Sequence, residues 1–185
     1  MRYVYAFLLL MLANVSLSQD LPFVDGKVIY DVELSFPGLS KQQIFEKSKL
    51  FVDEVLAKHH FIIKNTNNES GEIFTSGVTA LSEKDRKGFV WDIGEANRLK
   101  FNYNIKVSDN SSKVIIDNIS IIKLDVSKEI YKPFEDDVME EKRAIQSFKE
   151  GKFKKGREKR YSTIANNVNN TFYSMIAIYK RYIEK

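Results

Sequence analysis

From Lys27 to Ser35 apolar and polar residues alternate, with Val28, Tyr30, Val32 and Leu34 on one side and Lys27, Asp31, Glu33 and Ser35 mostly on the other. A period of two marks a strand with one buried face. The turn signal Asp25-Gly26 precedes it, and Phe36-Pro37-Gly38-Leu39 follows, with Pro37 and Gly38 suited to the central positions of a type II turn. The next element is a helix with several start signals. Ser40 and Gln43 have the spacing of a capping box, and Leu39 and Ile44 are placed as a hydrophobic staple. Ile44, Phe45, Phe51, Val52, Val55 and Leu56 then recur at helical spacing, to about Lys58.

Phe61 to Asn65 reads as a short strand and Thr66 to Gly71 as a turn cluster. Glu72 to Leu81 reads as the hairpin partner, with a bulge expected where Ser76 and Gly77 interrupt its alternation. Ser82 to Gly88 is charged and reads as a loop, and the patch Phe89-Val90-Trp91-Asp92-Ile93 follows between glycines. Alternation is cleanest from Arg98 to Val107, where Leu99, Phe101, Tyr103, Ile105 and Val107 share a side. A turn at Ser108 to Ser112 leads into a second long strand, Lys113 to Leu124. Its apolar phase shifts between Val114/Ile116 and Ile119/Ile121, which predicts a bulge near Asp117-Asn118.

In the last third, Pro133 opens a helix with Phe134, Val138, Ile145 and Phe148 on one face, ended by Gly151. Its first turns carry Glu135, Asp136, Asp137, Glu140 and Glu141, matching the helix dipole. Lys152 to Arg160 reads as a basic connector, before a final helix with Ile164, Val168, Phe172, Met175, Ile176, Tyr179 and Ile183 on one side. The fold class is therefore α+β: an antiparallel sheet in the order β-α-β-β-β-β, helices packed on one face, and helices added at the C-terminus. Residues 25–126 form the sheet domain, and 133–185 a helical extension packing on or beside it.

The first 18 residues read as a secretory signal: Arg2, then the apolar run Tyr3 to Ala13, then Ser16 and Ser18 as small residues before a cut ahead of Gln19. That run falls short of the roughly 20 residues that span a bilayer, so no transmembrane segment is expected after cleavage. The sequence holds no cysteine, which excludes disulfides and thiolate metal sites. Export without disulfides points to the periplasm or cell envelope of a bacterium. The net charge of +4 drops by one with Arg2, too little to argue for a polyanionic partner.

No catalytic or cofactor motif stands out. His59 and His60 are adjacent, so on a helix they diverge by about 100° and lack the spacing of a zinc pair. No Gly-x-Ser-x-Gly elbow supplies a nucleophile for them. The run Glu135-Asp136-Asp137 lacks the spaced oxygens and glycine of a calcium loop. No metal ligand, cofactor or catalytic residue is assigned. The basic stretch Lys149 to Arg160 holds seven cations against Glu150 and Glu158, and its plainer reading is a solvated link balanced by the acidic helix start. Phe89 and Trp91 are the candidate binding residues, since aromatics on loops often anchor partners; their plainer role is to plug a core edge.

The segment from Asp25-Gly26-Lys27-Val28-Ile29-Tyr30 through Phe36-Pro37-Gly38-Leu39-Ser40-Lys41, with the helix after it, resembles a family of exported bacterial domains of unknown function with a TATA-binding-protein-like fold. The likeness runs from Asp25 to Leu124. It implies the same α+β sheet and carries over no functional residues. A shape shared with a DNA-binding saddle is no argument for DNA binding, and export removes the nucleic acid, so none is expected as partner. The expected function is a non-catalytic envelope domain that binds another envelope protein or a surface ligand, through the sheet face or the Phe89–Trp91 loop. Two alternatives are an envelope hydrolase with carboxylates assembled in a cleft, and a membrane-surface protein that docks through the basic connector.

Overall fold

The structure, a computed structural model, describes residues 20–59, 61–80, 98–125, 128–147 and 151–185. The expected leader, His60, the Phe89–Trp91 patch and Phe148 lie outside the described residues.

The described chain opens on a tight hairpin, β1 (Phe23–Val24) and β2 (Lys27–Val28). Asp25 and Gly26 between them hold φ of +50° and +78°, the sense of twist that two-residue hairpin turns need. The strand expected from Lys27 to Ser35 is split at Ile29, whose amide turns to the Pro22 carbonyl at 2.9 Å, and β3 starts at the next residue (Tyr30–Ser35). The turn and helix then form as their spacing predicts. Leu39 donates its amide to the Phe36 carbonyl at 3.1 Å, and Gly38 takes φ +86°, a region that penalises any Cβ. Helix α1 (Lys41–Phe51) has both halves of its capping box. The Asp109 carboxylate also accepts from the Lys41 amide at 2.9 Å, placing a negative charge at the positive end of the dipole. Past Phe51 the helix widens into a π turn (Val52–Leu56) and tightens into a 3-10 turn (Ala57–His59).

Strands β4 (Ile62–Asn67), β5 (Glu72–Ala80), β6 (Arg98–Ser108), β7 (Ser111–Asp125) and β8 (Lys128–Pro133) precede helices α2 (Phe134–Ser147) and α3 (Lys152–Ile183). The sheet is antiparallel in the order β3-β7-β6-β5-β4, with β8 also on β7.

Three local expectations change. The bulge of the β4–β5 hairpin sits in β4 beside Lys64, between the pairs Ile63–Thr75 and Asn65–Phe74, while Ser76 and Gly77 pair regularly with Asn102 and Phe101. Gly77 is there for a different reason: a Cβ would lie 2.3 Å from the Phe61 ring. Lys128–Pro133 forms a strand, so Pro133 closes β8 and Phe134 begins the helix. The basic connector is itself helical, forming the first turns of α3.

Leu99, Phe101, Tyr103, Ile105 and Val107 of β6 are all buried, and the helices lie over them. Phe172 of α3 packs its ring 4.8 Å from Phe101 and 4.9 Å from Tyr30, and Phe51 of α1 lies 5.2 Å from Tyr179 of α3. Each such side chain, fully buried, contributes roughly 1.5–3 kcal/mol. Helix α2 adds Phe134 and Val138 beside Ile121 and Ile164. Sheet, α1, α2 and α3 thus share one continuous core.

Candidate functional site

The predicted bulge in β7 shapes the most structured feature of the surface. Asn102 pairs with Asp117 and Lys100 with Ser120, so Phe101 faces two residues, Asn118 and Ile119. Asn118 absorbs the extra length at φ +51°, a conformation asparagine tolerates better than most residues. The bulge lets Ile116 and Ile119 both point into the core.

It also coincides with a gap. One edge of β7 is paired by β6 from Ser111 to Ile122. The other is paired by β3 up to Ile116 and by β8 only from Ser120 onward. Asp117, Asn118 and Ile119 have no strand on that side. A cleft of about 660 Å³ opens there, walled by the β1–β2 turn (Asp25, Gly26, Lys27), Ile29, Asn102, residues 117–120, Pro133, and Glu135 and Asp136 of α2. Asn102 donates its amide to Asp117 at 2.8 Å, and Glu135 accepts from the Val28 amide at 3.2 Å, tying α2 to the hairpin. Four carboxylates, Asp25, Asp117, Glu135 and Asp136, line this cleft against one cation, Lys27. Its field favours hydrogen-bond donors and positive groups.

The cleft opens onto the face of the sheet opposite the helices, because Asn102, Asp117, Ser120 and Pro133 all belong to that face by register. The helix packing described above falls on the other side. On the open face Phe74, Val78 and Ile115 are half-buried, and Ile122, between Arg98 and Tyr131 in register, is 4% exposed. Charged groups there are matched across strands. Lys106 reaches Glu72 at 2.8 Å and Lys113 reaches Asp31 at 2.8 Å, and Lys100 stands 4.5 Å over the Tyr131 ring. The hydrogen bond from Lys106 holds the half-buried Glu72 carboxyl below its ordinary range.

Of the residues singled out in the sequence, Glu135 and Asp136 reach the cleft. Asp137 is buried and bound to Lys132, and Glu141 is buried and accepts from Arg157 at 3.1 Å. Among the described residues no three His, Asp or Glu side chains are grouped to hold a metal ion, and no helix is long and apolar enough to cross a membrane. Sequence reasoning missed Tyr131 and the cleft wall at Pro133, since Glu129 to Lys132 lacks clean alternation.

Comparison with known proteins bears on the fold. No curated protein matches the sequence. A crystal structure of a TBP-like protein from Parabacteroides distasonis superposes with a TM-score of 0.55 at 18% identity, covering 86% of this chain and 96% of that one. A DUF4468 family protein from Bacteroides ovatus superposes with a TM-score of 0.53 at 19% identity, covering 86% of this chain and 90% of the other. The family model described as a domain of unknown function (DUF4468) with TBP-like fold matches residues 30–121, from the start of β3 to the middle of β7. The chain is thus a DUF4468 family protein, built on a TBP-like sheet.

Proposed function

We propose that this protein is an exported, non-catalytic binding domain of a bacterial cell envelope, and that it engages another envelope protein or a surface ligand with the open face of its sheet. The observation that carries this reading is one-sided packing. Among the described residues the helices cover one face, while the other sets half-buried Phe74, Val78 and Ile115 among charge pairs already matched across strands. A partner meeting that face covers apolar area without stripping lone charges of water, the costly step in association. The cleft beside Asn118 would then receive a donor group from the partner. The signal-like first 18 residues support the location.

The test is site-specific photo-crosslinking in the native cell. A photoreactive residue at Asn104, on the open face, should yield a defined adduct that is absent when the residue is placed at Lys49 on α1. Identical adducts from both positions, or none from Asn104, would refute the reading.

The cleft carboxylates favour a second reading, a hydrolase in which two of them serve as general acid and general base. Turnover of chromogenic glycosides by the wild type, abolished in Asp117→Asn and in Glu135→Gln, would establish it over the first. No turnover removes it.

A further inference from the structure

The first turn of α3 stands clear of the core. Phe153, Lys155 and Gly156 are exposed, and contact with the body begins at Arg157, bonded to Glu141 of α2, and at Tyr161, packed against the core. That overhang is roughly 6 Å long at the rise of an α-helix. At its tip Phe153 is 82% exposed, more than any other large apolar side chain among the described residues. Lys154 and Lys159 flank it, and neither forms an ion pair with a described residue. Arg157 is different, being committed to Glu141 of α2 at 3.1 Å. The one carboxylate between Phe153 and Arg160 is Glu158.

The arrangement is unfavourable in water alone. An exposed phenylalanine loses the benefit of burial. Lysines at a helix start oppose the dipole, and α3 begins at Gly151 with no side-chain cap and no acidic residue in its first turn. One kind of surface answers all three at once: an apolar layer beneath a sheet of negative charge. Successive residues turn by about 100°, so Lys154 and Lys159 lie on the two sides of Phe153. With the ring turned down into a bilayer interface, their stems run outward and their ammonium groups reach the headgroup level.

We infer that the start of α3, Phe153–Lys159, is a peripheral docking site for an anionic lipid bilayer. Phe153 enters the interface, and Lys154 and Lys159 sit among phosphate headgroups. The site is independent of the open sheet face, so either assignment can fail without the other.

The experiment is vesicle co-sedimentation of the full chain lacking its first 18 residues. Phosphatidylcholine vesicles with phosphatidylglycerol are compared with pure phosphatidylcholine, at low and high salt. Each lysine near a charged surface contributes about fivefold to partitioning. The double variant K154Q/K159Q should therefore bind phosphatidylglycerol vesicles about 25-fold more weakly, whereas K155Q, on the far side of the helix, should change binding much less. Phe153→Ser should weaken binding while leaving its salt dependence intact. All these changes lie outside the core, and an unchanged circular dichroism spectrum with an unchanged melting temperature reports an intact fold. Absence of binding to phosphatidylglycerol vesicles overturns the inference, as does equal binding to both vesicle types. Retention on heparin that ignores Phe153→Ser, without vesicle binding, would instead assign the patch to a soluble polyanion and likewise overturn it.

Discussion

Tyr103 and Tyr179 lie in the same core, both within ring-contact distance of Phe51, yet their hydroxyls differ. The Tyr179 hydroxyl donates to Ser112 Oγ at 3.0 Å and lies 2.8 Å from Ser48 Oγ, whose single proton it shares with the Ile44 carbonyl. The Tyr103 hydroxyl is fully buried and has no hydrogen-bond partner among the described residues. A buried polar group left unsatisfied costs roughly 1–3 kcal/mol, whereas a satisfied one contributes about 1 kcal/mol per bond. Tyr103→Phe removes the penalty and gives up a few dispersion contacts of about 0.1–0.2 kcal/mol each, so it should stabilise the fold by about 1 kcal/mol. Tyr179→Phe removes the bond donated to Ser112 and should cost about 1 kcal/mol, because the Ser48 proton then goes wholly to the Ile44 carbonyl at 2.7 Å. Urea unfolding at constant m-value reads both changes, with opposite shifts of the midpoint. In a domain of this size about 1 kcal/mol corresponds to roughly 2–4 °C in Tm. A lower midpoint for Tyr103→Phe would refute the reasoning, because it would mean that a buried water or another group satisfies the hydroxyl.

Two further outcomes follow from packing and burial. Gly77→Ala places a Cβ 2.3–2.5 Å from three atoms of the buried Phe61 ring, and overpacking of this kind should lower stability by about 1–3 kcal/mol; a thermal melt unchanged from wild type would show that the ring moves freely aside. Burial raises the hydroxyl pKa of Tyr30, Tyr103 and Tyr179 above the ordinary 10.0. The native state therefore holds protons that the unfolded chain releases, so the stabilisation is complete below pH ~10 and falls as pH rises beyond it. Absorbance at the tyrosinate band should show these three ionising only together with unfolding; reversible titration near the ordinary value with a native circular dichroism spectrum would contradict it.

Local signals in this chain were legible wherever one residue's geometry decides the outcome. Ser40 and Gln43 cap α1 because both groups lie within one helical turn. Gly38 takes the positive φ that its place in the turn demands. Leu99 to Val107 alternate because one face of β6 meets the helices. The readings that changed depend on contacts far along the chain. Gly77 looks like a bulge until Phe61 is seen packed across it. Lys152 to Arg160 looks like a linker because it lacks apolar residues at helical spacing. It is helical because the segment after it is fixed by Ile164, Val168 and Phe172, and a helix once nucleated extends cheaply. Strand β8 forms on the edge that β3 leaves open, a vacancy that no local pattern in Lys128–Pro133 announces.

The cleft was half legible in the same sense. The phase shift from Ile116 to Ile119 located the bulge. That β3 and β8 stop on either side of it is a property of the assembled sheet. Deleting Asn118 separates the two roles of the bulge, in the core and at the cleft. Asn118 and Ile119 together oppose Phe101, so with one residue fewer Ile119 faces Phe101 alone and the strand alternates without a break: Ile116 in, Asp117 out, Ile119 in, Ser120 out. Ile119 and Ile121, now 1% and 4% exposed, stay in the core, and a residue held at positive φ is removed. The stretch of β7 between the β3 and β8 pairings shortens from three residues to two, which narrows the cleft. The deletion should therefore still fold cooperatively, with its apolar core intact and its cleft reduced. Asn118→Gly, which keeps the length and suits the positive φ, should fold with stability close to wild type and keep the cleft. If the deletion instead unfolds the domain while Asn118→Gly does not, the extra residue is needed by the core itself and the cleft is its by-product.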